Sequence, residues 1–293
     1  MTKTSKTILF FGTEDFSLAS LQALVKAGFS VGGVITKPDA RRGRSKSNTA
    51  PAVKTYALEQ HIPVLQPTST GELLDFIRTF DAPAGVLVSY GRIIPQTVID
   101  LFSPGIINVH PSLLPTYRGP TPIESAIING DAATGVSIMQ LDARMDAGAV
   151  YSQAHHPLTG SETKPELYDT LGRAGAEELV RVLPQILDGT LTPTAQDDTQ
   201  AVYCALLSKD LTLADPGEHT ATDLERRIRA HLGFPKTRLP FYGEPRIITK
   251  AHVASQKSSA TINCKHDTFL AIDELVSSSG KTVAVADFLR GIQ

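Results

Sequence analysis

The stretch TILFFGTEDFSLASLQALVKAGFSVGGVI, from Thr7 to Ile35, decides the fold class. It opens with an apolar run of strand formers, Thr7 to Phe11, ended by Gly12. Asp15 then stands as an N-cap before Leu18, Leu21 and Leu24/Val25, which recur at helical spacing until Gly28 closes the helix. Ser30 to Ile35 returns to strand. The same alternation continues outward. Pro51 suits the first turn of a helix running to about Gln60. Ala84 to Val88 and Gly105 to Val109 read as buried strands, Pro122 to Ile128 as a short helix, and Gly135 to Leu141 as a strand. Glu166 to Asp188 reads as a helix with Leu167, Leu171, Leu179, Leu183 and Ile186 on or near one face, kinked at Pro184. Strand–helix alternation of this kind predicts an α/β domain with a largely parallel sheet, whose ligands sit outside the carboxyl ends of the strands.

The pattern changes after Asp188. Gly189 to Thr199 is rich in Thr, Asp, Pro and Gln and has no helical face, so it reads as a linker. Thr222-Asp-Leu-Glu225 reads as a capping box opening a basic helix, Asp223 to Ala230. Short strand-like runs follow at Arg238 to Phe241, Pro245 to His252, Thr261 to Cys264 and Phe269 to Asp273, and Ala284 to Arg290 closes as a helical turn or two. This predicts a small β-rich, barrel-like second domain. The expected boundaries are 1–188 for the first domain, 189–207 for the linker and 208–293 for the second domain.

The chain has 293 residues, 41% hydrophobic and 20% charged, which suits a globular protein of one large or two ordinary domains. No apolar run approaches the roughly 20 residues of a membrane span. The polar start, Met1 to Lys6, and the short apolar run after it lack a signal-peptide pattern. Cys204 and Cys264 stand far apart and form no Cys-x-x-Cys pair, which suggests neither a zinc site nor a disulfide framework and suits a reducing cytoplasm. A formal charge of −2 argues against a surface coated in nucleic acid but leaves room for local basic patches.

Four stretches carry chemistry. Gly12 lies in the turn after the first strand, but the G-x-G-x-x-G fingerprint is absent, so it reads as a structural glycine able to floor a pocket. Asn108 and His110 stand two apart at a strand's end, and their side chains share one face with Val109 turned away. An amide and an imidazole there are either a reactive pair or a strand end with satisfied polar groups. Ser112 lacks the G-x-S-x-G elbow of a nucleophile. Asp142 and Asp146 stand four apart in a loop without His or Cys at ligand spacing, and alone they read as ordinary loop acids. Arg41, Arg42, Arg44 and Lys46, interspersed with Gly43 and Ser45, form either a solvated loop or a phosphate grip.

Taken together and in order, these residues resemble the folate-dependent formyltransferase family over nearly the whole chain. The resemblance is carried by Gly12-Thr13-x-Asp15-Phe16, Lys37-Pro38-Asp39 with the basic loop, Ser89-Tyr90-Gly91-Arg92-Ile93-Ile94-Pro95, Asn108-x-His110-x-Ser112-Leu113-Leu114-Pro115 and Asp146-x-Gly148. Pro111, Ala143 and Ala149 depart from the family's usual pattern. The resemblance implies a Rossmann-like formyltransferase domain followed by a small β-barrel-like (OB-like) C-terminal domain. It implies Asn108, His110 and Asp146 as the catalytic trio, and no metal. It implies that 10-formyltetrahydrofolate is the co-substrate, held by Tyr90, Gly91, Ile93, Ile94, Pro95, Ser112, Leu113, Leu114, Pro115, Leu141, Asp142, Ala143 and Arg144. Leu206 to Asp210, the basic helix and Phe234-Pro235 are similar to the branch that acts on charged tRNA. That branch would formylate initiator methionyl-tRNA for translation initiation, gripping it through Arg41, Arg42, Arg44, Lys46, Arg226, Arg227 and Arg229. The expected enzyme is a cytoplasmic monomer. An amino-sugar nucleotide is the alternative acceptor. A folate hydrolase and a noncatalytic tRNA-binding protein are weaker readings.

Overall fold

The computed structural model describes residues 6–41 and 48–292. The chain forms two compact units. The first comprises residues up to Arg118, Thr134–His156 and Tyr168–Tyr203; the second comprises Gly119–Ala133, Pro157–Leu167 and the chain from Cys204.

The elements follow in chain order as β1 (Ile8–Gly12), α1 (Phe16–Lys26), β2 (Val31–Ile35), a hairpin of β3 (Ala40–Arg41) and β4 (Asn48–Thr49), α2 (Ala52–Glu59), β5 (Val64–Leu65), α3 (Thr70–Ile77), β6 (Ala84–Val88), α4 (Gln96–Ile99), β7 (Ile106–His110), α5 (Pro122–Asn129), β8 (Ala133–Gln140), β9 (Val150–Pro157) and α6 (Lys164–Leu187). A seven-stranded sheet runs in the order β5-β2-β1-β6-β7-β8-β9. Its first five strands are parallel, and β8 pairs antiparallel with β7. Every residue of β1 is buried, as a strand covered on both faces requires. The chain leaves β1 toward β2 and β5, then resumes on the opposite side with β6 and β7, so the order reverses between β1 and β6. Loops at such a reversal diverge and leave a crevice at the strand ends.

One face of this sheet is sealed by Phe11, Leu73, Ile77, Tyr90, Val98 and Phe102, with Phe11 edge-on to both Tyr90 and Phe102. Helix α6 buries Leu167, Leu171, Leu179, Val182, Leu183 and Ile186, and it runs through Pro184. Truncating Leu171 to Ala would open a cavity costing about 2–5 kcal/mol. Gly175 is required in that helix, because a Cβ there would lie 2.8 Å from Val109 Cγ1 of β7.

The second unit adds α7 (Ala221–Ala230), β10 (Thr237–Phe241), β11 (Glu244–Ala254), β12 (Thr261–Cys264), β13 (Thr268–Val276), β14 (Thr282–Ala284) and α8 (Val285–Arg290). The strands make an antiparallel sheet in the order β10-β11-β13-β12 with β14 on β13, a small half-barrel β domain. Alternation is clean in β10, where Thr237, Leu239 and Phe241 point inward. Ala221, Leu224 and Ile228 of α7 join Leu239, Ile248, Leu270 and Ile272 in its core. The capping box lies two residues earlier than Thr222–Glu225. Thr220 Oγ1 accepts from the Asp223 N–H at 3.2 Å, and Asp223 Oδ2 accepts from the Thr220 N–H at 3.0 Å. Both phases match the cap pattern; burial of Ala221, which the earlier phase makes helical, accompanies the one adopted.

Candidate active site

The segments that follow β1, β2 and β6 are tied together by short polar links. Thr13 Oγ1 donates to the Tyr90 carbonyl at 3.0 Å, and the Glu14 N–H donates to the Ser89 carbonyl at 3.3 Å. Lys37, after β2, donates its N–H to Thr13 Oγ1 at 3.3 Å. The expected folate residues divide here by exposure. Tyr90 and Ile94 are core, and burial pushes the Tyr90 phenol up despite the opposing influence of Arg92. Ile93 between them is 92% exposed, beside Gly91 in a left-handed turn. Ser112 is buried with its hydroxyl donating to the Thr116 carbonyl at 2.6 Å, and Leu113 packs at Gly135. Leu114 and Pro115 border a cavity of about 350 Å³ together with Val150–Gln153 and Thr194–Asp197. Leu141 is half-buried, while Asp142, Ala143 and Arg144 are exposed.

Asn108, His110 and Asp146 all belong to the first unit. Asn108 pairs with Leu87 of β6 and Met139 of β8, and His110 with Ser137 of β8. Val109 faces Gly175 of α6, so Asn108 and His110 take the opposite face. Both are 5% exposed. His110 Nδ1 lies 3.7 Å from Asp146 Oδ2, an ion-pair distance, and His110 Nε2 lies 2.9 Å from the Tyr117 carbonyl. Both ring nitrogens thus face oxygen atoms, and a doubly protonated ring satisfies both while a neutral ring donates to one.

Both residues that face His110 have left-handed backbone, as does Ser89 after β6. Ser89, Tyr117 and Asp146 have φ of 46°, 59° and 48°. Such conformations cost about 1 kcal/mol or more for non-glycine residues and persist where the surroundings enforce them. The enforcement at Asp146 is visible. Gln196 Nε2 donates to the carbonyls of Asp146 at 2.8 Å and Gly148 at 2.7 Å. Gly148 itself admits no side chain, since a Cβ would lie 1.9 Å from the Gln140 carbonyl oxygen.

Gln196 and its partner Arg118 were not among the expected site residues. Arg118 lies three positions past Pro115 and had no expected role, and Gln196 sits 78 residues beyond it in a stretch read as linker. The linker stretch carries order: Thr194 and Val150 exchange backbone hydrogen bonds, both at 2.8 Å.

Of the basic residues expected to meet tRNA, Arg42, Arg44 and Lys46 lie outside the described residues. Arg41 is exposed on the hairpin, whose base is held by Lys54 donating to Asp39 at 2.8 Å and to Gln66 at 2.8 Å. In the second unit, Arg226 Nη1 donates to the Asn129 carbonyl at 3.4 Å. Arg227 Nη2 donates to the Leu211 carbonyl at 2.6 Å, and burial holds its guanidinium below the usual value. Arg229 makes two bonds to Glu225, at 2.6 and 2.9 Å, and a third to the Glu162 carbonyl at 2.7 Å. Among the described residues no group of three or more His, Cys, Asp or Glu side chains could hold a metal ion, and no helix is long and apolar enough to cross a membrane.

Residues 6–183 match the formyl transferase family. The chain is 37% identical to the methionyl-tRNA formyltransferase of Neisseria meningitidis serogroup C over 298 aligned positions, which cover 97% of this chain and 96% of that protein. It is 36% identical, with the same coverage, to the methionyl-tRNA formyltransferase of Neisseria gonorrhoeae. Among solved structures it resembles an N-formyltransferase from Helicobacter canadensis in complex with folinic acid and dTDP-3-aminofucose, at 18% identity and a TM-score of 0.70 over 92% of this chain and 99% of that one. It also resembles HypX from Aquifex aeolicus in complex with tetrahydrofolic acid, at 16% identity and a TM-score of 0.68 over 98% of this chain and 47% of that one. The structural likenesses establish the fold, and the end-to-end sequence similarity goes further: the chain belongs to the formyl transferase family, in its methionyl-tRNA formyltransferase branch.

Proposed function

We propose that the chain transfers the formyl group of 10-formyltetrahydrofolate to the amino group of initiator methionyl-tRNA. It would act as a cytoplasmic monomer in translation initiation. Supporting the site assignment is the His110–Asp146 pair at the end of β7, with Asn108 on the same strand face. In this reading the amine nitrogen attacks the formyl carbon, and the carbonyl becomes a tetrahedral oxyanion. Asn108 donates a hydrogen bond to that oxygen, a contact worth about 10²–10³ in rate where such donors have been removed. His110 donates a hydrogen bond beside it or moves a proton, and Asp146 orients the imidazole. Collapse breaks the bond from the formyl carbon to N10 of the folate. The amine loses one proton and the folate nitrogen gains one, so no covalent enzyme intermediate forms and no metal enters.

The residues fit such a co-substrate. An almost fully exposed Ile93 beside the Gly91 turn offers an apolar face flanked by backbone polar groups, which suits a flat pterin ring. Asp142, Ala143 and Arg144 present exposed groups for its edge, and Leu114 and Pro115 border open volume of their own.

The second unit is read as contributing tRNA affinity through Arg226 of α7, while Arg41, Arg42, Arg44 and Lys46 of the first unit are read as gripping the acceptor end. Arg226 meets its one protein acceptor only at 3.4 Å, whereas Arg227 and Arg229 bind theirs at 2.6–2.9 Å and are read as holding α7 in place. Similarity over the full length to methionyl-tRNA formyltransferases supports charged tRNA over an amino-sugar nucleotide as acceptor. The test offers the purified chain 10-formyltetrahydrofolate with either charged initiator tRNA or an amino-sugar nucleotide. Formylation of the tRNA is the expected result, and formylation of the sugar alone reverses the assignment.

A further inference from the structure

Arg118 is 1% exposed and lies outside the trio, yet it reaches both sides of it. Its Nε donates to Gln196 Oε1 at 2.9 Å, Nη1 to the Tyr203 hydroxyl at 3.1 Å and Nη2 to Asp198 Oδ1 at 2.7 Å. Its backbone N–H donates to the Val202 carbonyl at 2.8 Å. A guanidinium only donates, so Gln196 must turn its oxygen toward Arg118. That leaves the Gln196 amide N–H groups for the carbonyls of Asp146 and Gly148, which they meet at 2.8 and 2.7 Å. The amide's orientation therefore follows from its partners.

We propose that Arg118 and Gln196 are positioning residues for formyl transfer, fixing both partners of His110 from a single buried anchor. One arm is covalent. Tyr117, whose carbonyl faces His110 Nε2 at 2.9 Å, immediately precedes Arg118 and holds a left-handed conformation. The other arm passes through Gln196 to the left-handed backbone of Asp146, whose carboxylate stands 3.7 Å from His110 Nδ1. Anchoring Arg118 thus sets where the imidazole finds an acceptor on each side. Burying a guanidinium is costly, and an apolar side chain could fill the same volume more cheaply. What an apolar side chain lacks is the donor that holds the Gln196 oxygen and so turns that residue's amide N–H groups toward the carbonyls of Asp146 and Gly148. The inference rests on reading Asn108, His110 and Asp146 as the catalytic trio.

The test is single-turnover formylation of charged initiator tRNA by the full chain, for Gln196→Met, Asp146→Asn and the double variant. Methionine keeps the length of glutamine and removes the clamp. The saturating rate should fall about 10–100-fold, as for reactants misplaced by roughly an ångström, with KM for either substrate changed less than about threefold. In the Asp146→Asn background the same change should cost less than about threefold, because the clamp acts through Asp146. A wild-type rate for Gln196→Met, or losses that multiply in the double variant, would overturn the proposal while leaving the trio standing. Wild-type turnover in Asp146→Asn would instead remove the trio reading and the proposal with it. Gln196→Glu covers poor folding of the Met variant. It keeps an acceptor for Arg118 and turns an oxygen toward the two carbonyls, so a folded Glu variant with a wild-type rate also overturns the proposal.

Discussion

His110 at the end of β7 and Arg229 on α7 each face a carboxylate, and the two pairs are made differently. Arg229 and Glu225 lie one helical turn apart, close to 2.6 Å, and the guanidinium takes a third acceptor in the Glu162 carbonyl. Regular helix geometry delivers that pair without further help. His110 and Asp146 lie 36 positions apart in sequence and stop at 3.7 Å, with Asp146 in a left-handed conformation held from outside by Gln196. No local regularity produces that arrangement. A pair that requires backbone strain and a remote clamp points to a demand beyond folding, whereas a pair that helix spacing supplies needs no such explanation.

The contrast breaks most sharply at Asp146. Asp146→Asn should leave the melting temperature within a few degrees of wild type and lower turnover about 10³-fold, within the 10²–10⁴ range of acid–base catalysis. Wild-type-like turnover of the folded variant ends the comparison. Asn108→Ala comes next. It should lower the saturating rate about 10²-fold and change folate binding much less, because an oxyanion contact is made mainly in the transition state. Equal losses in folate affinity and rate would mark Asn108 as a binding residue instead.

Arg229→Ala tests the other side. Removing three charge-assisted bonds from a side chain 12% exposed should cost about 2–3 kcal/mol in urea unfolding. The salt dependence of tRNA binding should stay within about half a unit of wild type, since a phosphate contact would contribute roughly one. A full unit lost from that slope, with stability kept, would return Arg229 to the tRNA surface.

These cases also show what the sequence could reveal. β1, α1 and β7 were legible because burial on one or both faces writes a period into the residues. β9 was not, since it lies at the sheet edge, half-buried along most of its length, and alternates nothing. α3 was missed as well: it is one short helix of eight residues, and its clearest sign is the Ser69 cap accepting from the Glu72 N–H at 3.2 Å. Asn108 and His110 were visible as a strand-end pair, whereas Asp146 needed the family resemblance. Arg118 and Gln196 left no local pattern, because their contact spans 78 residues. The arginines of α7 read as a basic face, but the Asn129, Leu211 and Glu162 carbonyls they meet lie on other segments, which a helical pattern cannot display.

The smallest effect separates a histidine of the second unit from His110. His231, just after α7, is 2% exposed, and among the described residues neither ring nitrogen has a hydrogen-bond partner. Burial pushes its pKa down to about 4, and the positive charges of Arg227 and Lys164 push it the same way. The folded chain therefore keeps this ring neutral while the unfolded chain protonates near the ordinary value of 6.5. Stability is at its full value above about pH 6.5 and falls as pH drops toward 4, because there the unfolded state binds the extra proton. Glu162, held at about 2 by its bonds to Thr159 and Gly160 against the opposing effect of burial, adds its own loss only below about pH 4.5. Glu72, Glu166 and Glu178, also held below 4.5 by their hydrogen bonds, begin to add their losses near that pH, so from pH 6.5 to 5 the histidine dominates, and the loss across that window should be on the order of 2 kcal/mol. His231→Phe removes the titration without sacrificing a hydrogen bond, so its urea midpoint should be nearly flat across that window while the wild-type midpoint falls. Parallel curves for the two proteins would show that the ring is solvated or paired in solution, and the acid sensitivity would then belong to other groups.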